Sequence, residues 1–294
     1  MSEIPEIMTD LIPLLRRIVL LIIAVYAGIS GILYFFQERM LFHRPGITEG
    51  RLRSIRERFP EAEEVTVDTP DNYKLHGWLV HNGNREPSPL LIYFGGNAEE
   101  VSWMIEEKDN LPGWSILLIN YRGYGLSEGS PGEEALLGDA LLIYDTFSNR
   151  EDILRDEIAV MGRSLGSAAA VYVSARRNLS ATVLISSFGS IEDVARDNFP
   201  FIPVGHMLKH RFNVEPHAAN ADNPMLTMVA SADRIIPMRH SNKLFQAWNG
   251  RKEFVVIQNA GHNDISATSL YWETIRDFLN DDRSIKNLKL VKRN

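Results

Sequence analysis

Short apolar runs recurring at intervals that a helix can fill constrain this chain most. PLLIYFGG (89–96), WSILLINYRG (114–123), EIAVMG (157–162), ATVLISS (181–187), MLTMVAS (225–231) and EFVVIQN (253–259) are nearly continuous in apolar residues. Such runs suit strands covered on both faces. Helix-like stretches alternate with them: 98–107, 132–147, the alanine-rich SLGSAAAVYVSARR, a segment restarting after Pro237, and 269–282. Upstream, EVTVDT (64–69) and YKLHGWLV (73–80) flank Pro70-Asp71-Asn72 and read as an antiparallel hairpin. A hairpin followed by strand–helix repeats predicts an α/β fold: a mostly parallel central sheet with helices on both faces. In such folds the reactive groups gather at the carboxyl ends of the strands.

The N-terminus has a different character. IVLLIIAVYAGISGILYFF, Ile18 to Phe36, contains no charge. A helix of that length roughly matches a bilayer's hydrocarbon core. It lacks the small-residue cleavage site of a secretory signal, so it reads as an uncleaved single-pass anchor within an N-terminal segment 1–40. Arg16 and Arg17 before it, and Arg39, Arg44, Arg51, Arg53 and Arg56 after it, argue opposite orientations, so sidedness stays open. Residues 49–64 read as a charged connector. The remainder, 41–294, is long enough for one large domain. A net charge of −7 repels polyanions and argues against a nucleic-acid partner. With no cysteine in the chain, disulfides, thiolate metal sites and a cysteine nucleophile are excluded.

Between the apolar IAVM and the alanines sits Gly162-Arg163-Ser164-Leu165-Gly166. Glycines two places either side of a serine suit a turn so sharp that side chains there would collide. A G-x-S-x-G elbow between strand and helix holds a serine hydroxyl exposed above the sheet. Serine needs a general base, and a histidine needs a carboxylate to orient it. His262, in the NAGHND loop after the last strand, and Asp233, after MLTMVAS, supply both at strand ends. Glu192 and Asp193 are the alternative acids. An oxyanion needs two donors: the backbone N–H of Leu165 at the elbow helix, and that of Asn97 in the Gly95-Gly96-Asn97-Ala98 turn.

One stretch, 188–223, breaks the strand–helix rhythm and reads as a small lid, with Phe199, Phe201 and Phe212 as lid core or acyl contacts. His206 and His210, with His217 nearby, have ligand-like spacing but no acidic partner, and no metal site is expected there. Ser127, in a glycine-rich loop with no helix after it, is a poor nucleophile candidate.

On YFGGNAEE, NYRGYGLSEGSPGE, GRSLGSAAAVY, FPFIPV, SADRIIP and GHND, spanning about 89–264, the chain resembles the α/β-hydrolase superfamily. Within it, the chain is similar to the single-pass, membrane-anchored α/β-hydrolase-domain-containing serine hydrolases. The resemblance implies the α/β-hydrolase fold, Ser164 as nucleophile, Asp233 as acid, His262 as base, and Asn97 and Leu165 as oxyanion donors. It also implies hydrolysis of acyl esters or thioesters (of lipid, lysophospholipid or acyl-protein type) without metal or cofactor. Gly95 stands where relatives often carry histidine, and Ser231-Ala232 replaces a usual His-Gly. Two other readings stay open: a serine peptidase of prolyl-oligopeptidase type, and a non-catalytic membrane scaffold.

Overall fold

The computed structural model describes residues 6–82 and 87–291, with side chains described from 11 to 281. One sheet of eight strands runs in the order β1-β2-β4-β3-β5-β6-β7-β8. The strands are β1 (Ala62–Asp68), β2 (Lys74–Val80), β3 (Ser88–Phe94), β4 (Ser115–Ile119), β5 (Ile153–Arg163), β6 (Ala181–Ile185), β7 (Met225–Ala230) and β8 (Lys252–Ile257). β1 and β2 form the expected hairpin, β2 lies antiparallel to β4, and the other pairings are parallel.

The helices are α1 (Glu6–Leu41), α2 (Glu49–Arg58), α3 (Glu133–Phe147), α4 (Gly166–Ser174), α5 (Ile191–Asn198), α6 (Val204–Met207), α7 (Glu215–Ala218), α8 (Met238–Ala247) and α9 (Ser269–Val291). Strand periodicity divides the core in two. Leu90, Ile92 and Phe94 of β3, with Ile158 and Val160 of β5, pack towards α3, α4 and α8. Their neighbours Leu91, Tyr93, Ala159 and Met161 pack on the other face towards α2 and α9. The continuous apolar runs are thus a consequence of a sheet buried on both sides.

Two expectations from the sequence are corrected. The charged stretch at 49–64 is not merely a connector. It begins with α2, where Thr48 accepts the N–H of Arg51 at 3.2 Å as an N-cap. Leu52 and Ile55, three apart, form a narrow buried stripe that charge content had masked. The helix expected over 98–107 is instead a 3-10 helix over Val101–Asn110, started by Glu100, whose carboxylate caps Ser102.

The anchor-like run lies inside a longer helix, and Leu11–Leu41 is long and apolar enough to cross a membrane. Residues 11–29 are exposed throughout, with Leu21 at 65 %, and Phe35 is 79 % exposed. So much contiguous exposed apolar surface is unusual for a water-soluble chain.

Candidate active site

The strand order reverses beside β3: the chain goes first to β4 on one side, then returns to β5 on the other. The loops after β3 and β5 therefore diverge and leave a crevice at the sheet's carboxyl edge. The turns carrying Asn97 and Ser164 border this crevice, and those carrying Asp233 and His262 follow β7 and β8.

Ser164 occupies the left-handed region at φ +50°, a conformation costing roughly 1–3 kcal/mol for a non-glycine residue. The surrounding turn offsets that strain. Its N–H bonds the Ile185 carbonyl at 2.9 Å, and its carbonyl accepts the Ser167 N–H at 3.0 Å and hydroxyl at 2.6 Å. A Cβ on Gly166 would lie 2.0 Å from the Phe94 carbonyl oxygen, and one on Gly162 2.4 Å from that of Gly166. Both glycines are therefore required by close backbone approach.

The serine hydroxyl lies 3.1 Å from His262 Nε2, and His262 Nδ1 lies 2.7 Å from Asp233 Oδ2. The other Asp233 oxygen accepts the N–H groups of Ile235 and Ile236 at 2.9 and 2.8 Å. Burial pushes the Asp233 carboxyl up, but hydrogen bonds from His262 and the Ile236 amide outweigh it and hold it below the usual carboxylate range. A depressed carboxylate stabilises the fold above its unfolded pKa and loses that contribution as pH falls through the lower folded value. The stability gap between the native chain and Asp233→Asn is accordingly expected to be full at neutral pH and to close on acidification past the ordinary aspartate range. Urea unfolding of both proteins at several pH values measures it; a gap that widens in acid contradicts this geometry.

Among the described residues, no hydrogen bond engages the backbone N–H of Asn97 or Leu165. The Asn97 loop is close to the serine: a Cβ on Gly96 would lie 3.6 Å from that of Ser164. The Asn97 side chain is tied to the segment leaving α1. Its oxygen accepts the His43 N–H at 2.9 Å, and its amide donates to the Met40 carbonyl at 3.2 Å.

Sequence reasoning missed a buried ion pair under these loops. Glu99 and Arg163 have side chains only 8 % and 16 % exposed and meet at 3.1 Å. Glu99 also accepts the Gly96 N–H and the Trp103 indole N–H, each at 2.6 Å, and the Tyr93 hydroxyl. Arg163 donates its second nitrogen to the His262 carbonyl at 3.0 Å. One guanidinium thus ties the Gly96–Asn97 turn to the His262 loop. Burial pushes the Tyr93 phenol well up, with Glu99 adding to it. The available signal was a charged residue wedged between Gly162 and Ser164 in an otherwise apolar strand end.

The other candidates lie elsewhere. Glu192 pairs with Arg196 and Arg211, and Asp193 with Lys243. Ser127 is buried, donating to the Asn120 carbonyl and accepting the His76 N–H. His210 accepts the Glu133 N–H, and His217 stacks edge-on against Tyr172. No cluster of potential metal ligands occurs among the described residues. The three phenylalanines part company: Phe212 is fully buried, Phe201 is exposed, and Phe199 lines an apolar cavity of about 250 Å³ between α1 and α5–α6. Met40, whose carbonyl holds Asn97, lines the same cavity.

No protein-family model matches the chain. It is 32 % identical over 239 residues to an uncharacterized protein of Mycobacterium tuberculosis, covering 80 % of this chain and 84 % of that protein. An uncharacterized membrane protein of Saccharomyces cerevisiae is 30 % identical, covering 84 % and 90 %. The alpha/beta hydrolase domain-containing protein WAV2 of Arabidopsis thaliana is 27 % identical, covering 87 % and 91 %. Among solved structures, an alpha-beta hydrolase from Vibrio vulnificus superposes with a TM-score of 0.64 at 19 % identity, covering 82 % of this chain and 91 % of that one. The Pyrococcus furiosus esterase Pf2001 superposes with a TM-score of 0.63 at 17 % identity, covering 81 % and 96 %.

Proposed function

The chain has the α/β-hydrolase fold, and from that premise we propose that it is a membrane-anchored serine hydrolase cleaving acyl esters or thioesters through an acyl-enzyme. The observation that carries this reading is the unbroken hydrogen-bonded series from Ser164 through His262 to Asp233, at the carboxyl edge of the sheet. Residues 1–40 would form the anchoring segment and 41–294 the catalytic domain, with 188–223 as its lid. The exposed apolar face of α1 supports the anchor.

In the proposed reaction the Ser164 oxygen attacks the substrate carbonyl carbon while His262 Nε2 takes the hydroxyl proton. The carbonyl oxygen becomes an anion facing the N–H groups of Asn97 and Leu165, at the amino end of α4, where the helix dipole assists. As the intermediate collapses, the bond to the alcohol or thiol breaks and His262 returns the proton to that leaving group. Water then attacks the acyl-enzyme with His262 again as base, releasing the acid and restoring Ser164. Asp233, ionised by its hydrogen bonds, holds the imidazole and balances its transient charge. No step calls on a metal or cofactor.

The test is labelling with a fluorophosphonate, which captures activated serines. The full chain in detergent is expected to label, and Ser164→Ala and His262→Ala are expected not to. A folded native chain that stays unlabelled would instead favour a scaffold.

We assign the cavity between α1 and the lid to a long acyl chain, since apolar side chains make up most of its wall and Met40 on that wall holds the Asn97 side chain through its carbonyl. Filling it with Ala195→Trp is expected to erode the preference for a dodecanoyl over an acetyl ester. Displacing four methylenes at about 0.8 kcal/mol each removes about 3 kcal/mol, or roughly a hundredfold in relative kcat/KM. An unchanged ratio would place the acyl chain elsewhere.

A further inference from the structure

The connection between α5 and α6 has the chemistry of a segment that does not face water. Phe199-Pro200-Phe201-Ile202-Pro203 has no polar side chain, and Phe201 is 86 % exposed. Its backbone is nearly closed. The N–H groups of Phe199, Ile202 and Val204 bond the carbonyls of Ala195, Phe199 and Ile202 at 2.8, 3.0 and 2.8 Å. The two prolines have no N–H to satisfy. From 199 to 204, among the described residues, only the Phe201 N–H and the Pro200 carbonyl have no hydrogen bond, while the Phe201 carbonyl accepts the Tyr26 hydroxyl of α1 at 2.8 Å. A loop in water has solvent for such groups; one in hydrocarbon must satisfy them from protein.

Its place along α1 agrees. Farther along that helix, Gln37 donates to the Met207 carbonyl at 3.1 Å and accepts the Lys209 N–H at 2.8 Å, while the Lys209 ammonium meets Glu38 at 3.1 Å. These polar ties suit the headgroup level. Tyr26 lies about one leaflet deeper: the intervening helix spans about 16.5 Å, against about 15 Å for half a hydrocarbon core. Tilt, up to about 40° in membrane helices, reduces that depth.

We propose that the 199–203 tip of the lid is a bilayer-inserting wedge, with Phe201 in the acyl region of the proximal leaflet and Tyr26 capping its carbonyl. The partner is the lipid surface itself. Together with the cavity behind it, the wedge places the mouth of the acyl site within the membrane. The proposal rests on reading α1 as a membrane anchor.

Because the chain has no cysteine, one introduced thiol carries one nitroxide. Ile22→Cys on the anchor, Phe201→Cys on the lid tip and Glu151→Cys at the opposite end of the sheet would be labelled in the full chain in phosphatidylcholine nanodiscs. Ile22, Phe201 and Glu151 are all exposed, so substitution disturbs no core. Collisions with dissolved oxygen and with a water-soluble nickel chelate are then compared by EPR. For Phe201 the oxygen-to-nickel ratio is expected to rise severalfold over that at Glu151, approaching Ile22. A lipid-like ratio at Ile22 with a water-like one at Phe201 overturns the wedge and leaves the anchor standing. Water-like ratios at both overturn wedge and anchor together. None of these readings depends on hydrolysis, so a failed wedge and a failed enzyme are told apart.

Discussion

Replacing Ser164 by alanine is expected to lower kcat on an activated ester by roughly a millionfold, the scale seen when a serine nucleophile is removed. The fold should survive. The Ser164 hydroxyl bonds to His262, while the turn is held by backbone bonds to Ile185 and Ser167 that alanine retains. The left-handed backbone at 164 costs an alanine much what it costs a serine. Thermal unfolding should therefore show little change beside the lost activity. The Ser164→Ala, His262→Ala double variant should be scarcely worse than either single one, because residues that act as a unit are not additive. Steady-state kinetics on the three proteins would decide. Substantial turnover by Ser164→Ala would remove this serine from the mechanism.

The second large effect belongs to Arg163. Arg163→Met is expected to lose about 3–5 kcal/mol of stability, because Glu99 is left buried without its cation. That corresponds to roughly 5–15 °C in Tm. Activity should fall by more than unfolding explains, since the same guanidinium holds the His262 carbonyl while its partner Glu99 holds the Gly96 N–H. Arg163→Lys preserves the charge but cannot fork towards both oxygens. It is expected to recover more of the stability than of kcat. The double change Arg163→Met, Glu99→Gln removes the orphaned charge, so Tm should rise above that of Arg163→Met while kcat stays low. Recovery of kcat in step with Tm would mean that the pair supports only the fold.

The fold was largely legible because strand burial is written locally. Six apolar runs and one hairpin give eight strands, and their alternation with helices leaves few topologies. α2 was missed because Leu52 and Ile55 are two apolar positions in a highly charged decapeptide. The glycine-flanked serine was legible because its constraint spans five residues. The meeting of Asp233 and His262 with Ser164 was legible because each follows a strand, and the carboxyl ends of parallel strands share one edge.

Sequence alone determined the strand set, the serine-bearing elbow and the apolar helix, since each depends on residue types within a short window. Tertiary structure decided which distant residues meet. Arg163 reaches Glu99 across 64 positions, Asn97 is fastened to Met40 across 57, and Tyr26 caps Phe201 across 175. No local pattern encodes those pairings. They follow from the reversal of strand order beside β3 and from the path of α1 past the segment after β6, and a chain shows neither until its sheet has assembled.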